Sequence, residues 1–140
     1  MIVHGLWHAL AVSRAHEVDL AHLSGEAADE VADTMQALGT SSRVRILSRL
    51  TAGPSSVKEL ARAVEMEQPA VSQQLRVLRD LGLVGGKRQG RKTIYKLHDK
   101  HVAVLLAEAV AHTQHRRAAA VKRQRTSNSD AGSPTPKDRA

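Results

Sequence analysis

Four side chains near the C-terminal end of the chain have the types and the spacing of metal ligands. They are Asp99, His101, His112 and His115, which together offer one carboxylate and three imidazoles. Such oxygen and nitrogen donors suit Zn(II) in a tetrahedron, or Ni(II) and Co(II) if two more ligands join them. The sequence contains no cysteine, so every thiolate site is excluded.

The spacing of these residues predicts that two copies of the chain share each ion. Residues 99–120 form one predicted helix with Asp99 as its N-cap, because no Pro or Gly interrupts it. His101 and His112 then lie roughly 16 Å apart along the axis, too far for one ion. The three imidazoles nevertheless point within about 60° of one another.

An antiparallel pairing of two such helices resolves the conflict. Residues that face each other across an antiparallel pair have position numbers with a constant sum, and the pairs 101/112 and 99/115 differ in that sum by only one. Both pairings therefore share a two-fold axis near residue 107. The sequence predicts a homodimer with paired antiparallel C-terminal helices and two intersubunit metal sites.

Composition narrows the classes of protein to consider. The chain of 140 residues contains no Phe, so the core must be aliphatic, and its net charge is +7. The positive excess lies in residues 41–100 and in the tail, which favours an anionic partner, nucleic acid first. No apolar run approaches the roughly 20 residues that cross a bilayer, and the N-terminus lacks a signal peptide. We therefore expect a cytoplasmic protein with no membrane partner.

The elements that must position these residues follow from helix and turn signals. Residues 1–24 form a predicted flexible arm, residues 25–120 one folded domain, and residues 121–140 a disordered basic tail. The domain begins with two amphipathic helices, over 24–38 and from residue 41 to Gly53. A capping box at Ser56 and Glu59 opens a short third helix, and Pro69 opens a fourth that ends at Gly82.

A helix-turn-helix followed by a hairpin is the expected core of the domain. The third and fourth helices are joined by a tight turn. After them come a strand over 83–84, a basic loop over 85–92 and a strand over 93–97. The predicted fold is mainly α with a small β-hairpin, a winged helix-turn-helix.

The fourth helix has a polar face typical of a DNA-reading helix. Its outward positions, opposite a leucine stripe, are Gln68, Ser72, Gln73, Arg76 and Arg79. Glutamine can bond adenine and arginine can bond guanine in a major groove. The predicted hairpin tip adds a basic set for phosphates or the minor groove: Lys87, Arg88, Arg91 and Lys92.

Each of these residues alone would suit an ordinary solvated surface. Their order along the chain, with a helix-turn-helix, a polar face and a basic wing, instead favours double-stranded DNA. A two-fold dimer then predicts an imperfectly palindromic operator with half-sites about one helical turn apart.

Three segments resemble the ArsR/SmtB family of metal-responsive winged-helix repressors. They are residues 37–47 (ALGTSSRVRIL), residues 68–84 (QPAVSQQLRVLRDLGLV) and the wing through Tyr95. The resemblance covers about residues 26–117. It implies a homodimer that binds operator DNA when metal-free and releases it on binding an ion.

Within that family, the pattern of Asp99, His101, His112 and His115 resembles the nickel/cobalt-sensing branch. The zinc sensors of similar layout typically have Glu at the position of His115. The resemblance also implies ligands from an N-terminal Gly-His, whereas this chain has His4-Gly5 preceded by Ile2-Val3. His4 and His8 therefore remain as side-chain candidates for the additional ligands, and Ni(II) or Co(II) is the predicted effector.

Three alternatives remain open. The first is a zinc-responsive repressor of the same family. The second is a winged-helix regulator that does not respond to metal, its histidines and the Asp99 cap being incidental. The third, a metal-dependent hydrolase on the same ligands, is disfavoured because no further carboxylate or nucleophile is placed to act on a substrate; we expect no enzyme.

Overall fold

The computed structural model describes residues 19–130 of the chain, which divides after Gln36 into two units. In the first unit, a short 3-10 helix, Leu20–His22, precedes helix α1, Gly25–Leu38, whose last two residues belong to the second unit. The Ser24 hydroxyl accepts from a first-turn N–H of α1 at 3.2 Å, which makes Ser24 its N-cap. The helix predicted over 24–38 is confirmed.

The second unit carries the remaining elements, in an order that defines a winged helix-turn-helix. They are α2 (Ser41–Leu50), β1 (Ser55–Ser56), α3 (Val57–Val64), α4 (Gln68–Asp80), β2 (Val84–Gln89), β3 (Lys92–Leu97) and α5 (Lys100–Asp130). The strands form one antiparallel sheet in the order β1-β3-β2. The predicted fold class, mainly α with a small β-hairpin, is confirmed. The strand β1 was not predicted.

The core that holds these elements together is aliphatic, as the absence of Phe requires. Its fully buried side chains come from α2, α3, α4 and β2, and they are Ile46, Leu47, Leu60, Val71, Leu75, Leu78 and Val84. Burial of each such side chain contributes about 1.5–3 kcal/mol before chain entropy is counted. Val102 and Leu106 of α5 join the same cluster. This core fixes α4 against α3 and exposes its opposite face.

The predicted capping box at the start of α3 is present. The Ser56 hydroxyl accepts from the Glu59 N–H at 3.3 Å, and the Ser56 N–H donates to Glu59 Oε2 at 2.9 Å. That backbone bond is the main cause that lowers the pKa of the Glu59 carboxyl below its usual value of 4.5. The cap satisfies N–H groups that have no partner within the helix.

The turn between α3 and α4 has the left-handed residue that ends many helices. Glu65 has φ 56°, and the Met66 N–H donates to the Ala61 carbonyl at 3.0 Å. Pro69 occupies the second position of α4, where its missing N–H leaves no bond unmade. The predicted helix-turn-helix is therefore present, with α4 beginning one residue before Pro69 and ending at Asp80, two residues before Gly82.

The hairpin differs from its prediction, since the basic loop expected over 85–92 is almost entirely strand. Only Gly90 and Arg91 lie between β2 and β3, and Gly90 has φ 60°. This is the first central position of a two-residue turn, where a type II′ turn requires glycine. Gly86 pairs with Tyr95, and a Cβ on Gly86 would lie 3.1 Å from the Tyr95 ring. The tyrosine therefore covers a glycine that has no side chain of its own to pack.

The last helix is longer than predicted. It begins after Asp99 as expected but continues through Asp130, ten residues beyond the expected end at Ala120. No Gly or Pro occurs between Asp99 and Gly132, and the added residues include the good helix formers Lys122, Arg123, Gln124 and Arg125. Among the described residues, no helix has both the length and the apolar character needed to span a bilayer.

Candidate functional site

The structure places the predicted DNA-reading residues on the exposed face of α4. Ser72, Gln73, Arg76 and Arg79 are exposed, as is Gln68 at the start of the helix. Val71, Leu75 and Leu78 of the opposite face are fully buried. A large rotation of the helix would expose these apolar side chains, so the polar face stays toward solvent.

The four basic residues of the wing are exposed as well. Lys87 and Arg88 lie on β2, Arg91 is in the turn, and Lys92 opens β3. The Arg88 Nε–H donates to the Gly90 carbonyl at 3.2 Å, which braces the tip. The wing thus presents positive charge on a short, hydrogen-bonded ribbon, an arrangement suited to phosphates.

A polar contact behind α4 was missed by the sequence analysis. The Arg43 Nε–H of α2 donates to Gln74 Oε1 of α4 at 2.8 Å, and Arg43 NH1 donates to the Ala37 carbonyl at 3.1 Å. Gln74 is half-buried, whereas its neighbour Gln73 is exposed. Helical spacing places Gln74 at the margin of the buried face, but nothing in the sequence pairs it with a residue 31 positions away.

The four predicted metal ligands lie on α5 and its cap. Asp99 Oδ1 accepts from the N–H groups of His101 at 2.9 Å and of Val102 at 3.4 Å, so the predicted N-cap is confirmed. Both of these capping hydrogen bonds are accepted by Oδ1. His101, His112 and His115 are exposed along the same continuous helix.

One chain alone does not assemble these residues around an ion. Within residues 19–130, no three His, Asp or Glu side chains come together as a metal-binding group. His101 and His112 are about 16 Å apart along the axis of α5. The two arm candidates, His4 and His8, lie outside the described residues.

This arrangement defines a class of protein. The helix-turn-helix packs on the core and exposes a face of α4 that carries glutamine and arginine, and the basic wing follows it. This combination is typical of a winged-helix DNA-binding module. A model of the bacterial regulatory protein arsR family matches residues 40–85, which span α2 to the start of β2. The chain belongs to the arsR family, and it is a DNA-binding transcriptional regulator.

Relatives in mycobacteria are similar over most of the domain. The transcriptional regulator NmtR of Mycobacterium tuberculosis is 57% identical over 95 residues, which are 68% of this chain and 79% of the relative. The solution structure of apo-NmtR matches with a TM-score of 0.59 and 52% identity, covering 73% of this chain and 85% of that one. The repressor SmtB of the same organism is 38% identical, over 62% of this chain and 64% of the relative.

A further solved structure has a similar fold. The homodimeric winged helix-turn-helix DNA-binding domain Mb0332 of Mycobacterium bovis has a TM-score of 0.60 and 29% identity, covering 71% of this chain and 90% of that one. The homodimeric state was described for the M. bovis domain. The likeness supports the winged-helix assignment for the chain described here.

Proposed function

We propose that the protein is a metal-responsive repressor that leaves its operator when Ni(II) or Co(II) binds at intersubunit sites on α5. One observation carries this proposal: a capping aspartate and three exposed histidines lie along one uninterrupted helix, α5, at spacings that would match across the two-fold axis of an antiparallel pair. The similarity to NmtR supports the metal-responsive class. The expected place of action is the cytoplasm, where operator DNA lies, and we expect no catalysis.

The donor set fits a divalent ion. Asp99 and His101 of one subunit, with His112 and His115 of the partner subunit, would supply one oxygen and three nitrogens. The unused Oδ2 of Asp99 allows the cap and the ligand role to coexist. His4 and His8 are the candidates for the two further donors that six-coordinate Ni(II) or Co(II) requires.

The proposed DNA contacts divide into two kinds. Ser72, Gln73 and Arg76 lie in the first two turns of α4, the part of a recognition helix that meets base edges, while Gln68 and Arg79 flank them. The wing residues Lys87, Arg88, Arg91 and Lys92 would neutralise phosphates. We expect the operator to be an imperfect palindrome.

We expect metal binding to release operator DNA by changing the separation of the two α4 helices in the dimer. A bound ion would supply a cross-link between the two α5 helices. The α5 helices would then set the separation of the two α4 helices, which an operator needs to be about 34–36 Å, one helical turn. Coupling of this kind is reciprocal, so operator DNA must weaken metal binding by the same factor.

The test is a parallel titration of Ni(II), Co(II) and Zn(II) into the metal-free protein. Operator affinity is followed by fluorescence anisotropy and Co(II) geometry by its visible spectrum. Release by Ni(II) or Co(II) with weak d–d bands supports a six-coordinate site. Intense tetrahedral bands with release mainly by Zn(II) would instead establish the zinc-responsive alternative.

Variants separate the site from the rest of the protein. The double variant His112→Ala/His115→Ala should bind operator like the wild type but lose metal-triggered release. His98→Ala is the matched control, because His98 is exposed beside Asp99 but has no proposed role. Release retained by the double variant would refute the ligand assignment. Release by no ion, even in the wild type, would leave a winged-helix regulator that does not respond to metal.

A further inference from the structure

The Arg43 side chain links three helices, because it lies on α2 and hydrogen-bonds to α4 and to the end of α1. Arg43 lies in the first turn of α2, and its guanidinium donates from Nε to Gln74 of α4 and from NH1 to the Ala37 carbonyl at the end of α1. Both bonds are short, at 2.8 and 3.1 Å, and both lie in partly buried surroundings. The fixed fork of the guanidinium lets one side chain hold two acceptors at once.

Both acceptors of Arg43 are stabilised by its hydrogen bonds. The Ala37 carbonyl is among the last four of α1, which have no partner within the helix, and a cation is favoured at that helix end. Gln74 is half-buried, and its amide oxygen would lose the donor of its hydrogen bond if Arg43 moved. The bridge therefore stabilises one orientation of α4 relative to the corner between α1 and α2.

The bridge also separates two adjacent glutamines. Gln74 turns inward to Arg43, and Gln73 remains exposed on the face proposed to read bases. The leucines of α4 fix which face is buried, but apolar packing alone tolerates small rotations and slides. A directional hydrogen bond from a charged donor does not.

We propose that Arg43 is a positioning residue for operator recognition, which aims the exposed face of α4 by holding Gln74 against the α1–α2 corner. Arg43 itself contacts no DNA on this view, and it acts only through the orientation of α4. The inference rests on the proposed use of α4 as the recognition helix, and it is independent of the metal site.

The experiment measures the ratio of specific to nonspecific affinity in metal-free protein. The specific probe is a duplex selected by the wild-type protein from a random pool, and the nonspecific probe is a scrambled duplex of equal composition. Arg43→Met and Gln74→Met should each lower that ratio roughly tenfold per half-site, the scale of one hydrogen bond to a charged group. The two changes together should lower it no further than either alone.

Two further variants separate positioning from other roles. Gln74→Glu retains an acceptor for Arg43, so it should keep the ratio even though its charge weakens binding to both duplexes. Arg45→Met is the matched control, because Arg45 is an exposed arginine two positions away on α2 and makes no side-chain hydrogen bond to another side chain within residues 19–130. Thermal melts establish that each variant is folded at the assay temperature.

The outcomes are distinct. A lower ratio with an unchanged salt dependence supports positioning. An unchanged ratio with a lower melting temperature would mean that Arg43 only stabilises the fold, and a smaller salt slope would mean that it meets phosphate directly; either result overturns the proposal. If the wild type itself selects no duplex, the recognition role of α4 fails, and this inference fails with it.

Discussion

Neutralising two charges of the wing should change how binding depends on salt rather than which sequence is bound. Lys87 and Arg91 are both exposed, and neither side chain makes a hydrogen bond within the described part of the chain. The change Lys87→Gln/Arg91→Gln therefore removes charge without breaking the Arg88 bond to the Gly90 carbonyl. The hairpin should keep its structure.

The magnitude follows from counterion release. Each phosphate contact contributes about 0.9 to the slope of log K against log salt, so two contacts in each subunit of a dimer contribute about 3.6. Between 50 and 200 mM salt, the wild type should then lose about 150-fold more affinity than the variant does. The ratio of specific to nonspecific affinity should stay nearly constant, since phosphates carry no sequence information.

The assay is fluorescence anisotropy on one duplex at four salt concentrations. Lys96→Gln is the control, because Lys96 is exposed on β3 but lies near the base of the hairpin, roughly 16 Å of strand from the turn. Gln73→Ala should give the reverse pattern, with specificity lower by about 1–3 kcal/mol and an unchanged slope. A slope change below about one in the wing variant would refute the assignment of the wing to phosphates.

Three further predictions concern stability and assembly. Glu59→Gln should remove a contribution to stability that is present above the unfolded pKa of the carboxyl and is lost as pH falls through its lowered folded pKa. The melting temperatures of the wild type and the variant should therefore converge in acid. A difference that stays constant with pH would exclude the cap carboxylate as the source of this stability. Ser56→Ala should cost about 1 kcal/mol at neutral pH, measured by urea unfolding. Val31→Lys/Met35→Lys should shift a dimer toward monomer in sedimentation, because these side chains are 46% and 49% exposed in the single chain; an unchanged dimer would place the interface elsewhere.

Local signals predicted the helices that carry the recognition face. The Ser56 cap, Pro69 and the leucine spacing of α4 act within a few residues, so the sequence alone identifies them. The strand β1 has only two residues, Ser55–Ser56, and exists because it pairs with Tyr95 and Ile94 far along the chain. No pattern in the neighbouring residues predicts such a strand.

The errors have two physical causes, which are contacts between residues far apart in the chain and, for the tail, the continuation of a helix already formed. Two consecutive glycines, Gly85 and Gly86, predicted a loop, yet the Tyr95 ring and the β3 ladder hold them as strand. The tail is basic and has few apolar residues, and so predicted disorder, although Lys122, Arg123, Gln124 and Arg125 favour continuing a helix already begun. The Arg43 bridge to Gln74 is equally invisible to local reasoning, since it spans 31 positions.

The start of α5 joins the proposed ligands to the DNA-contacting elements by short covalent and hydrogen-bonded links. Asp99 follows β3 by two residues, and β3 forms one side of the wing. The intervening His98 donates its N–H to the Leu83 carbonyl at 3.0 Å, just beyond the end of α4. A shift of Asp99 and His101 would therefore be passed to the base of the wing and to the segment that follows α4. Because His112 and His115 lie more than two turns further along the same rigid helix, a metal-induced change in the angle between two α5 helices would reach both DNA-contacting elements through this one corner.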